Sequence, residues 1–141
     1  MTKSLENFLI NHITNIRHIL RLCHYVISIK ETSNTKIGAD IKVDMIYLTA
    51  EIGITPNLKS LYEQKCYEDI IQMLCHELTH IITEELFDYA NKLIKDKKDR
   101  KELLNKTERI TQHTSKWGYR LYQEFLKDNK IDLKTGKCIK K

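Results

Sequence analysis

The chain carries a single proline, at position 56, and that break divides its 141 residues into two stretches of different periodicity. Before it, a first helical pattern gives way to alternating β-branched and polar residues. After it, apolar residues recur every three or four positions and no strand pattern returns before the tail. Leu5, Phe8, Leu9, Ile13, Ile16, Leu20 and Cys23 predict an amphipathic helix over 4–24, with Ser4 as its N-cap. His12 falls on that apolar stripe and reads as a hydrogen-bonded core histidine, whereas His18 belongs to the solvent face. Residues 25–32 alternate Tyr25, Ile27 and Ile29 against Val26, Ser28 and Lys30, which is strand-like, and the polar loop Ser33-Asn34-Thr35-Lys36 follows.

Leu48, Ala50, Ile52 and Ile54 alternate with Tyr47, Thr49, Glu51 and Gly53, as in a strand with one face on a core, and a second strand is expected just ahead at 41–44. Thr55-Pro56-Asn57 ends this region, since proline cannot donate to a ladder. Residues 60–95 read as one helix with Ile70, Leu74, Leu78, Ile81 and Glu85 along its stripe. The run 95–101 has no apolar residue and reads as a solvated link. A last helix is expected over 103–127, with Leu103, Thr107, Ile110, Thr114, Trp117, Leu121 and Phe125 toward the core and Gly118 marking close packing. The aromatic residues Trp117, Tyr119, Tyr122 and Phe125 read as core and rim rather than as a base-stacking platform. A turn at Lys134-Thr135-Gly136-Lys137 leads into a tail, 129–141, expected to be mobile. The resulting expectation is one α+β domain over 1–141, a short sheet packed against the central helix and completed by N- and C-terminal helices.

Composition narrows the class. The longest apolar run is about four residues against the ~20 that span a bilayer, and Met1 to Glu6 lacks the apolar core of a signal peptide, so a cytoplasmic protein is expected. Cys23, Cys66, Cys75 and Cys138 form no Cys-x-x-Cys pair and read as free thiols, Cys23 and Cys75 as small core residues. Residues 1–91 hold 8 Lys/Arg against 12 Asp/Glu, and residues 92–141 hold 16 against 7. The basic C-terminal half could attract nucleic acid, although Lys-rich helix faces ordinarily just face water. Nineteen Ile and 19 Lys against 5 Arg is the bias that an AT-rich genome produces.

One constellation carries chemistry. His76-Glu77-Leu78-Thr79-His80 is an HExxH motif in the middle of the expected central helix, and a shuffled chain of this composition contains it roughly twice in a hundred trials. Residues i and i+4 share a helix face, so His76 and His80 can aim at one ion while Glu77 projects toward a metal-bound water. The stripe through Ile70, Leu74, Leu78 and Ile81 points well away from them, which keeps the histidines free of the core. A catalytic zinc site needs three protein ligands. The metzincin pattern is excluded, because residue 83 is Thr where it needs Gly and residue 86 is Leu where it needs His. Glu108, at the edge of the next helix's apolar stripe beside Leu104 and Thr111, is the expected third ligand, with Glu84 and His113 as alternatives.

With these residues the sequence resembles the gluzincin-type metallopeptidases, most closely the small single-domain ones of phages and mobile elements, over residues 39 to about 122. The resemblance implies a minimal zincin-like domain, Zn2+ held by His76, His80 and Glu108, and Glu77 as general base in the hydrolysis of a peptide or protein substrate. It also implies that the strand over 47–54 borders the cleft and pairs with extended substrate. Thr111 and Gln112 stand where such enzymes often place an aspartate after the ligand glutamate. Tyr119 lies ~16 Å along the helix from Glu108, too far to serve as oxyanion donor on the same carbonyl. Two other functions are kept open at this point: a catalytically silent zincin fold that binds a host protein or nucleic acid, and an SprT-like protease acting on DNA-bound proteins, which the missing zinc ribbon disfavours.

Overall fold

The computed structural model of the chain describes residues 1–33 and 38–139, with the backbone alone at 85 and 86. Positions 34–36 of the expected polar loop, and the side chain of Glu85 in the expected stripe, therefore lie outside the described residues. The fold is α+β, as its periodicities predict. Its elements run α1 (Lys3–Ile19), β1 (Val26–Glu31), β2 (Ala39–Asp44), β3 (Thr49–Ile54), α2 (Pro56–Glu63), α3 (Tyr67–Leu93) and α4 (Lys97–Asp128).

The three strands form a mixed sheet in the order β1-β3-β2. β1 runs parallel to β3 with Val26 opposite Thr49, and β2 runs antiparallel with Ala39 opposite Ile54. The strand nearest in sequence to the central helix is thus the middle of the sheet, with both ladders occupied. Ala50, Ile52 and Ile54 point inward and are buried, while the opposite face, with Ser28, Lys30, Lys42 and Glu51, meets water. Leu48, expected to point inward, turns out exposed because it closes the β2–β3 connection at φ 51°.

The helices depart from their expected limits at their ends. Thr2 rather than Ser4 caps α1, its hydroxyl accepting from the Leu5 amide, and the Ser4 hydroxyl bonds Tyr62 instead. α1 stops at Ile19, where Leu22 N–H donates to Arg17 and Arg21 N–H to His18, the paired bonds of a Schellman ending, with Arg21 left-handed at φ 60°. This turn swings Cys23 to the exposed surface and puts Leu22 and Tyr25 in the core, so only Cys75 of the two expected core thiols is buried. Proline 56 opens α2 at its first turn, where its missing N–H costs nothing, behind a Thr55 cap that accepts from Leu58. The single helix expected over 60–95 is two helices, because Lys65, at φ 62°, ends α2 with the same bond pair, Cys66 to Leu61 and Lys65 to Tyr62. The link after α3 is short: Asp96 accepts from Lys98 N–H at 2.6 Å and starts α4 at Lys97.

α3 and α4 double back on each other as a hairpin. α3 buries Ile70, Ile71, Leu74, Cys75, Leu78 and Ile81, close to the expected stripe. α4, however, is rotated from expectation: it buries Thr111, Ser115, Gly118, Tyr122 and Leu126 and leaves Ile110, Trp117 and Leu121 exposed at 54%, 68% and 48%. Small side chains let two helices approach closely. Thr83 and Thr111 share a buried hydroxyl hydrogen bond of 2.8 Å, and a Cβ on Gly118 would fall 3.2 Å from Leu20 Cδ2.

The expected mobile tail is tied down through residue 139. Asn11 and Asn15 side-chain amides donate to the Thr135 and Gly136 carbonyls at 2.6 and 3.1 Å, and Ile131 bridges to Cys138. Gly136 sits at φ 64°, in the expected turn, where a Cβ would fall 2.8 Å from that of Asn11. Beneath it lies His12, fully buried as expected. The Leu133 carbonyl can only accept, so His12 Nε2 carries the proton, at 3.1 Å, and Nδ1 accepts from the Tyr122 hydroxyl. Both ring nitrogens of a neutral imidazole are satisfied.

Burial holds His12 down at about 4, against the opposing pull of the Leu133 carbonyl and of Asp132. Its folded value lies below the ~6.5 of the unfolded chain, so between those limits the unfolded state binds more protons and stability falls as pH falls. Urea unfolding should show wild type losing about 2 kcal/mol more between pH 7 and pH 5 than His12→Gln, which keeps the hydrogen bonding but does not titrate. Parallel losses in the two proteins would show that His12 does not govern the acid limb.

Candidate metal centre

The first turns of α3 pack Ile70, Ile71 and Leu74 on the sheet, which fixes the helix and orients the next turn. On the flank away from that stripe, His76 and His80 stand one above the other, half-buried, with Nε2 atoms 3.1 Å apart. The rotation of α4 brings Glu108 over them. Its Oε1 lies 3.3 Å from His76 Nε2 and its Oε2 3.5 Å from His80 Nε2. These donor atoms all fall within 4.8 Å of one another, the arrangement of a group able to hold a metal ion. Bonds of about 2.0–2.1 Å at the tetrahedral angle separate ligand atoms by about 3.3 Å. The imidazole nitrogens stand 3.1 Å apart, near that value, and the carboxylate meets each of them with a different oxygen, at 3.3 and 3.5 Å. Three such ligands on one ion would leave the fourth tetrahedral position open.

The sequence-derived residues His76, Glu77, His80 and Glu108 come together in one cleft of about 610 Å³. Glu84, an alternative ligand, lines the cleft but does not join the cluster, and His113 is exposed on α4 and lines no part of it. Burial, helped by the neighbouring His76 and opposed by Glu108, keeps His80 below its usual value and hence neutral, with a free lone pair. Burial also pushes Glu77 up to about 8, and Asp40 and Glu108 add to the effect as like charges. The site thus pairs two basic nitrogens and one carboxylate with a second carboxyl of high proton affinity.

The cleft wall is built differently from the expected one. Residues 39–43 of β2, not β3, line it, because β3 is sealed between two neighbours while β2 is the sheet edge facing α3. Asp40, which the sequence reading did not single out, is part of this wall. Its carboxylate crosses over Gly53 of β3, where any Cβ would collide with it. The only sequence signal for it was a charged residue inside a β-branched run, together with a glycine opposite, and neither is specific. Met73, one turn before His76 and expected from its helix position to line the cleft, instead lines the neighbouring pocket between α3 and α4 and packs against Gly38 just ahead of β2. Tyr119 faces the same side, its hydroxyl accepting from Gln123 at 3.0 Å.

Compared with protein-family models, with curated proteins and with solved structures, the chain shows no match. The functional reading therefore rests on the geometry of this cluster and its cleft.

Metal analysis by mass spectrometry, on protein purified without an affinity tag and supplied with zinc, should find about one ion per chain. His76→Ala, His80→Ala and Glu108→Ala should each lose it, and Glu77→Gln should keep it. Full occupancy in Glu108→Ala would remove Glu108 from the ligand set.

Proposed function

We propose that this chain is a zinc-dependent metallopeptidase that hydrolyses peptide bonds. The observation that carries the reading is the convergence of His76 Nε2, His80 Nε2 and the Glu108 carboxylate beside the buried Glu77. Two imidazoles and one carboxylate favour zinc among common divalent ions. When bound, zinc would lower the pKa of a coordinated water and polarise a carbonyl. His76, His80 and Glu108 would hold it, and their two helices, packed together at Thr83 and Thr111, would keep the ligands in place without rearrangement.

Glu77 is the general base in this reading. It sits next to the ligands without belonging to them, and its buried carboxyl binds a proton tightly enough to take one from water and hand it to the departing amine. Asp40 keeps that affinity high. The substrate is an extended peptide. Among the described residues β2 is paired with β3 alone, so its other edge offers backbone groups along the cleft that could take another strand. No described helix is long and apolar enough to cross a membrane. The free cysteines support a cytoplasmic site of action, where thiols stay reduced.

A second reading, a zincin fold that has no activity and binds a host protein or nucleic acid, draws on the exposed Ile110, Trp117 and Leu121 of α4 and the cations Arg109, Lys116 and Arg120 beside them.

Glu77→Gln separates the two. In an assay with a mixture of quenched fluorescent peptides, zinc-loaded wild type should cleave, and Glu77→Gln should lose activity by about 10²- to 10⁴-fold while retaining its zinc. Activity surviving in that variant would rule Glu77 out as the base. A zinc-loaded wild type that cleaves no peptide but binds a partner equally well with and without the substitution would favour the second reading.

A further inference from the structure

The hairpin of α3 and α4 carries a second, open pocket of about 330 Å³ that shares His76 with the cleft. His76 stands in the wall of both spaces, so whatever fills this one lies directly beside the metal ligands. Its other walls are Gln72 and Met73 from α3 and Gln112, Ser115, Lys116 and Tyr119 from α4. Met73 supplies an apolar floor. Around it stand two carboxamides and a phenol, groups that can donate hydrogen bonds. Gln112 also touches the ligand set, its Nε2 donating to Glu108 Oε1 at 3.4 Å.

Charge decides what this cavity takes. Among the described residues no carboxylate lines it. Lys116 brings the one full positive side-chain charge, and among the described residues it forms no ion pair. The neighbouring cleft is mainly acidic, with Asp40, Glu77, Glu84 and Glu108 along its walls against Lys42 alone. A peptide crossing the metal would therefore leave an acid-lined channel and set its next side chain beside an uncompensated ammonium.

We propose that this cavity is the selectivity pocket of the site and accepts an acidic side chain, glutamate best, from the substrate residue adjoining the bond that is cut. The inference rests on the metallopeptidase reading and deepens it by naming the substrate class. Glutamate's two methylenes lie on Met73 while its carboxylate reaches Lys116 and the amides of Gln72 and Gln112. Lysine at the same position would bring like charge against Lys116, and leucine would offer that ammonium no counter-charge. Lys116 is exposed on α4, so the preference is partly screened and weakens with salt.

Dipeptide hydroxamates, which bind through the metal, test both levels at once. Three probes carrying Glu, Leu or Lys next to the hydroxamate are titrated calorimetrically into the zinc-loaded protein and into Lys116→Glu and Lys116→Met. Wild type should prefer the Glu probe to the Lys probe by about tenfold at low salt, Lys116→Met should level the two, and Lys116→Glu should invert the order. Circular dichroism confirms that the variants are folded. Equal binding of all three probes by wild type, or an order unchanged in Lys116→Glu, overturns the pocket assignment while leaving the metal centre standing. Failure of every probe to bind a protein shown to contain zinc overturns the metallopeptidase reading and the pocket with it.

Discussion

Thr83 and Thr111, two hydroxyls with no chemistry of their own, hold the long helices at the separation where one carboxylate reaches two imidazoles. With one proton each, one hydroxyl donates to the other and the other donates to a carbonyl of its own helix, Thr83 to Thr79 or His80, or Thr111 to Thr107, so both protons of the buried pair are used. A bulkier residue at either position would spread α3 and α4 apart. Glu108 precedes Thr111 by three residues and His80 precedes Thr83 by three, so each ligand rides nearly one turn from the contact that fixes its helix. A displacement of even 1 Å there would open the ligand separations beyond what one ion can bridge.

That contact also explains which parts of the fold could be read from the sequence. The HExxH spacing is local geometry: i and i+4 share a face whatever the helix packs against, and so His76, Glu77 and His80 were legible. Glu108 was reached by its place at the edge of a stripe. The stripe itself was drawn one residue off, because hydrophobicity favours Ile110, Trp117 and Leu121 whereas packing distance favours Thr111, Ser115 and Gly118. Close approach selects small side chains, and composition-based periodicity does not see them as a core. Helix ends were blurred for a different reason. Arg21, Lys65 and Lys130 occupy the left-handed position that glycine ordinarily fills at a helix end, so three of the chain's stops carry no glycine signal. The identity of the cleft strand could not be read at all, since strand order depends on the crossover from β1 past the space that β3 later fills.

The charge distribution takes on meaning in the folded molecule. The net charge of +5 comes from the second half of the sequence, yet the cleft that this half helps to build is acidic, with Asp40, Glu77, Glu84 and Glu108 around it. Such a concentration of carboxylates is stabilised by a cation and costly without one. The lysines and arginines of α4 lie mostly on its outer surface, so the helix separates the two signs across its own width. Carboxylate repulsion inside the cleft and the lowered proton affinity of His80 both favour the arrival of a divalent ion.

The seal at the far end of the molecule bears on the order in which this chain assembles. The imidazole of His12 is bonded to a carbonyl 121 residues away and to a hydroxyl 110 residues away, and its position is enclosed only when the last turn lies across α1. Closing a loop of that length directly costs on the order of 4 kcal/mol in chain entropy. The cost shrinks once the sheet and the helical hairpin have already drawn α1 and α4 together. Chain entropy therefore favours late docking of residues 131–138, as a latch that shuts on a core already drawn together.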